Sequence, residues 1–192
     1  MEKAVEEALR SLHGFVGADE FREELKRAKQ DFYAMVGAPL PGEPIEELRL
    51  SSFIEWFIFD RQLAATGRTP AEDYLRSRAE DLAGPLLAVL IGFTRTVHSV
   101  FEVKKRDAAG TDLKDLYTGI QYKGVRTVPV TLGRGDMAEL RIAPAEGSWY
   151  ATEALCFHPY SARKQILRML KEARKQGKPV EQVLTSLMVM NT

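Results

Sequence analysis

The sequence is poor in the residues that most often announce chemistry. Cys156 is the single cysteine in 192 residues, which excludes an internal disulfide and a cysteine-rich zinc site. His13, His98 and His158 are the only histidines, and none falls in an H-E-x-x-H or His-x-His arrangement. The phosphate-cradling patterns G-x-x-x-x-G-K-[ST] and G-x-G-x-x-G are absent. No apolar run approaches the roughly 20 residues of a membrane-spanning helix; the best, Pro85 to Phe93, is about half that length. The start, Met1-Glu2-Lys3-Ala4-Val5-Glu6-Glu7, is acidic and lacks the basic, then apolar, texture of a secretory leader, so the expected compartment is the cytoplasm, away from membranes.

What is present points to a folded protein with a buried core. Hydrophobic residues make up 45% and charged residues 28%, far from the composition of disorder. The length suits one domain or two small units sharing a core. Charge is balanced, 27 basic against 27 acidic residues, but unevenly placed. The first 96 residues hold 12 and 17, and the remainder 15 and 10. Opposite halves can attract each other within one molecule or between two copies, subject to screening by salt.

Spacing predicts helices first. Val5, Leu9, Leu12 and Val16 stack on one helical face, and Asp19 can cap a second helix carrying Phe21, Leu25, Ala28, Phe32 and Met35. The connector Ala38 to Pro44 contains three prolines and reads as an extended link. Beyond it, Phe53 to Asp60 is the most apolar stretch, too aromatic for one narrow stripe, so a helix there should be buried over most of its girth. Thr69-Pro70-Ala71-Glu72 is a capping box with proline at the first helical position; its helix carries Tyr74, Leu75, Ala79 and Leu82 and breaks at Gly84-Pro85, before an apolar helix Leu86 to Phe93.

From Val97 the period changes to two. Strands are expected at Val97 to Val103, Leu113 to Tyr117, Val125 to Val130, Met137 to Ile142 and Trp149 to Cys156, with Pro129 marking an edge. Ser161 can cap a closing helix with Ile166, Leu167, Met169, Leu170 and Ala173, and a last helix follows Gly177-Lys178-Pro179. The expected fold class is α+β: a helical bundle over residues 1–96 packed on a small antiparallel sheet or partly open barrel over 97–158, closed by C-terminal helices over 159–192.

The run Phe53-Ile54-Glu55-Trp56-Phe57-Ile58-Phe59-Asp60-Arg61-Gln62-Leu63, followed by Gly67-Arg68-Thr69-Pro70 and Tyr74-Leu75, resembles a pattern in bacterial proteins similar to those with a C-terminal zinc-binding SEC-C tail. The likeness spans about residues 50 to 105. It implies a shared fold and no defined activity. The zinc-tailed version is departed from outright, because one cysteine cannot supply such a site.

Candidate chemistry is sparse. Cys156 and His158 share a strand face, but a working Cys–His pair is normally assembled from separate parts of a fold, so a structural thiol is the expectation. Asp112 and Asp115 read as solvated loop carboxylates. Glu55 and Asp60 stand among aromatics, where a carboxylate can have its proton affinity changed or can pair with an arginine. Gly133-Arg134-Gly135-Asp136 reads as a hairpin turn. The basic helix 162–176 aligns Lys164, Arg168, Lys171 and Lys175 on one face, a stripe able to meet an anionic ligand. The reading drawn from all this is a non-enzymatic binding or regulatory protein acting through a protein surface, with another protein or a second copy of itself as partner. No cofactor or metal is expected. One alternative is a nucleic-acid or anionic-ligand binder using that stripe; another is an enzyme with a site between the halves, built on Glu55 or His158.

Overall fold

The computed structural model describes residues 1–39, 42, 45–82 and 84–190. Leu40, Pro41, Glu43 and Pro44, most of the prolines and their neighbours in the expected extended link, lie outside the described residues. Among the described residues the chain forms seven α-helices: α1 (Glu2–Val16), α2 (Arg22–Val36), α3 (Glu46–Phe59), α4 (Pro70–Arg78), α5 (Gly84–Phe93), α6 (Arg163–Lys175) and α7 (Val180–Met190). Between α5 and α6 run five strands: β1 (Val97–Asp107), β2 (Gly110–Asp115), β3 (Gln121–Val125), β4 (Met137–Ala145) and β5 (Ser148–His158). They form one open antiparallel sheet in the order β3-β2-β1-β4-β5. The fold is α+β.

The sheet curls until its two edges approach. Arg126, just past β3, forms a single bridge to Tyr150 of β5, and the Tyr122 and Trp149 rings meet edge to face at 4.8 Å. Alternation then divides each strand between two environments. Phe101, Leu113, Tyr122, Ala138, Leu140 and Ile142 fill the inside of the curl, with Val128 and Leu132 tucked in from the following loop. The opposite face lies under helices: α5 on β4, α3 on β5, α7 on β1, with Val100 and Met137 packed against Ile166, Leu170 and Leu184. Inner strand β4 is consequently buried on both sides along nearly its whole length.

Several local expectations hold. The Thr69 cap is present with both reciprocal bonds, Glu72 N–H donating to Thr69 Oγ1 and Thr69 N–H to the Glu72 carboxylate. Phe53, Phe57, Ile58 and Phe59 are buried as the aromatic run requires. Others need correction. Asp19 caps nothing with its side chain; it opens a 3-10 turn and pairs with Arg22 at 2.5 Å. Ser161 likewise sits inside a 3-10 turn, Tyr160–Ala162, ahead of α6. Met35 is exposed and Val36 takes its place in the core. α4 stops at Arg78, leaving Ala79 exposed. The third strand lies earlier than expected, at Gln121–Val125, and Pro129 belongs to a loop instead of an edge strand. Asp115 is buried, not solvated: its carboxylate accepts from Ser99 Oγ, Thr118 Oγ1 and the Tyr117 N–H, clamping the turn after β2.

Candidate functional site

Strand β4 reads Met137-Ala-Glu139-Leu-Arg141-Ile142, so two charges fall on the face that the helices cover. A buried guanidinium must be paired, because an isolated charge in a low-dielectric interior costs several kcal/mol or more. Arg141, 2% exposed, places its two terminal nitrogens on the two Asp60 oxygens, at 3.0 and 2.5 Å, and on Thr96 Oγ1 at 2.8 Å. Its plane lies over the Phe59 ring, 5.1 Å from the centroid. Arg141 Nε stands 3.5 Å from Glu55 Oε2, a charge contact without a hydrogen bond. One cation thus serves two carboxylates. Among the described residues, the ion pairs that join the acidic half to the basic half all converge on Arg141.

Glu55 is held from the other side as well. A register irregularity between Leu140 and Ile142 turns the Ala154 amide of edge strand β5 away from β4, and that N–H donates to Glu55 Oε1 at 2.8 Å. The expectation that Asp60 pairs with an arginine is met, across the fold by Arg141 and not by adjacent Arg61. Arg61 instead bonds Glu24 and Asp31 at 2.8 Å each, with its guanidinium over the Trp56 ring. Trp56 packs on Phe32 and Phe53.

Next to Arg141, a chamber of about 30 Å³ is lined by Ser52, Glu55, Trp56, His98, Glu139, Arg141, Cys156 and Met188 among others. His98 Nε2 lies 3.1 Å from Glu139 Oε1, while Glu139 Oε2 is buried without a hydrogen-bond partner. Buried Arg49 lines a separate, smaller cavity that shares Ser52, Cys156 and Met188, and donates to the Met188 carbonyl in the last turn of α7. Burial lowers the affinity of Arg49 for its proton, opposed by nearby Cys156, Glu139 and Tyr33. The chamber has room for about one water molecule. His158, opposite Met137 in the register of β4 and β5, is buried, and that burial pushes its pKa down against the pull of Glu139. No group of three or more potential metal ligands forms among the described residues.

The far side of Glu55 faces an open groove of about 340 Å³ between α1, α2, α3 and β5. Leu9, Val16, Leu25, Leu50 and Ile54 form its walls, with His13, Ser51, Glu55 and Glu153 as its polar side chains. Two other depressions approach it in volume. One, of about 300 Å³, lies where α5 meets the β4–β5 turn and includes Arg95 and Glu146; the other, of about 280 Å³, lies on the polar flank of α6 and α7. Neither has a comparable aliphatic wall.

The basic stripe forms as drawn: Lys164, Arg168, Lys171 and Lys175 are all exposed on α6, and none enters an ion pair among the described residues. Arg163 is different in kind, fastening α6 to β1 through Glu102 at 3.0 Å. The fold and groove together define an α+β protein with a curled antiparallel sheet and a ligand-sized cleft at its helical face. Comparison with protein-family models, with curated proteins and with solved structures gave no match.

Proposed function

We propose that this chain is a non-enzymatic binding protein whose ligand enters the groove between α1, α2, α3 and β5. One observation carries the reading: a cavity of about 340 Å³, within the range of small-molecule sites, has aliphatic walls and a buried carboxylate at its end. The charged and polar groups behind the groove support it. Asp60 and Glu55 serve Arg141 and Ala154, and His98, Glu139 and Cys156 border a space too small for a substrate. A partner-protein surface becomes, in this reading, the downstream half of a regulatory role in which ligand occupancy alters how α1 to α3 are presented.

The test is a fragment screen read by protein-observed NMR, comparing the parent chain with Ile54→Trp, which fills the groove. Fragments should shift the amides of Leu9, Ile54 and Ala154 in the parent and lose that response in the variant. A screen in which no fragment moves those amides removes the reading.

A second reading has its own observation, the four exposed cations of α6 that enter no ion pair among the described residues. An anionic polymer bound there would be released as salt rises, because counterions condensed on the polymer are displaced on binding. Replacing Lys164, Arg168, Lys171 and Lys175 together by Gln should abolish retention on heparin at low salt. Unchanged retention would exclude α6 as the contact.

A further inference from the structure

We infer that the groove selects a small hydrophobic amine, with the aliphatic or aromatic body against Leu9, Val16, Leu25 and Ile54 and the ammonium group against Glu55 and Glu153. The inference rests on the groove being the binding site and adds the charge of its occupant. Its first support is the lining itself: two carboxylates border the groove, and neither lysine nor arginine does. The second is the way Glu55 is compensated. Arg141 is the only cation paired with Glu55 among the described residues, and its hydrogen bonds go to Asp60 and Thr96. Two carboxylates share one guanidinium, which leaves a net negative charge at the end of an apolar cleft. Glu55 is 7% exposed, so that charge is poorly screened by water, and a cation arriving with its own apolar body supplies what the site lacks.

The chemistry also excludes the alternatives. An anionic ligand would meet two carboxylates, with His13 the one basic side chain among the lining residues to receive it. A permanently solvated metal cation would gain nothing from Leu9, Val16, Leu25 and Ile54. A protonated primary or secondary amine offers two or three N–H donors to the Glu55 and Glu153 oxygens while its hydrocarbon covers the wall, and charge-assisted bonds of that kind are roughly twice as strong as neutral ones.

The experiment titrates the intact chain with 4-phenylbutylamine, 4-phenylbutan-1-ol and 4-phenylbutanoate, three probes that share one body and differ in the charge of one end. Amide shifts of Leu9, Ile54 and Ala154 locate the binding and give the affinity. The amine should bind about tenfold tighter than the alcohol, and the carboxylate weakest. Glu153→Gln, an exposed position that leaves the core untouched, should narrow the gap between amine and alcohol; Glu55→Gln should narrow it further. Equal affinity for amine and alcohol overturns the charge inference while leaving the groove as a binding site. An amine that shifts only amides elsewhere, or three probes that leave the groove amides unmoved, overturns the inference and the groove reading together.

Discussion

Among the glycines of the described residues, Gly92 has the least room for a side chain. A Cβ there would stand 1.7 Å from the Pro144 carbonyl oxygen of β4, so α5 can lie on the sheet only where its own backbone makes the contact. Gly92→Ala should destabilise the fold by at least the roughly 1–3 kcal/mol typical of overpacking, read as a lower urea midpoint. His158 gives a second residue-level prediction, with a sign fixed by burial. Its pKa in the folded chain lies below the ordinary 6.5, so the unfolded chain binds the proton more readily. Stability from this group is full above about pH 6.5 and declines as pH falls from there toward the folded value. Urea titrations at pH 7 and pH 5 should show a loss that His158→Gln reduces; an equal loss in the variant would assign it to other groups.

At the scale of elements, Thr69→Ala removes the acceptor of the α4 cap and should cost about 1 kcal/mol, measurable by chemical denaturation. That cap was legible in sequence because all its parts lie within four residues. The aromatic helix was legible for a related reason, since its composition alone demanded burial around most of its circumference. The third strand was not. Val125-Arg-Thr-Val128-Pro-Val130 alternates like a strand, yet Val128 and Leu132 reach the core from a loop that plugs the curl, and burial by a loop leaves the same apolar spacing. Arg141 was missed although Glu139 and Arg141 stand two apart on a strand between apolar residues, a pattern that puts both charges on one face and calls for a partner across the fold.

The whole molecule is tied together through Arg141. Arg141→Met would leave Glu55 and Asp60 without their shared cation, and the expected loss is about 3–5 kcal/mol, larger than for an exposed pair such as Arg22 and Asp19. The opposed charges of the two halves are thus partly satisfied within one chain, which weakens the case for a homodimer held by charge. Light scattering across a hundredfold range of concentration decides the matter: a constant mass of one chain removes the dimer. The groove was illegible in sequence because its walls come from residues as distant as Leu9 and Glu153, and no local period records that meeting.

Ala154 shows what the same carboxylate does for solubility. β5 is an edge strand, and an edge strand's outward amides are a template on which another chain can stack. Glu55 occupies the Ala154 amide and sets a buried negative charge beside it, so an incoming strand would have to evict a carboxylate and lose its bond to gain one of its own. Glu55→Ala should therefore polymerise more readily than the parent on prolonged warming, with thioflavin fluorescence as the readout, and the groove's polar end doubles as a guard against fibre growth.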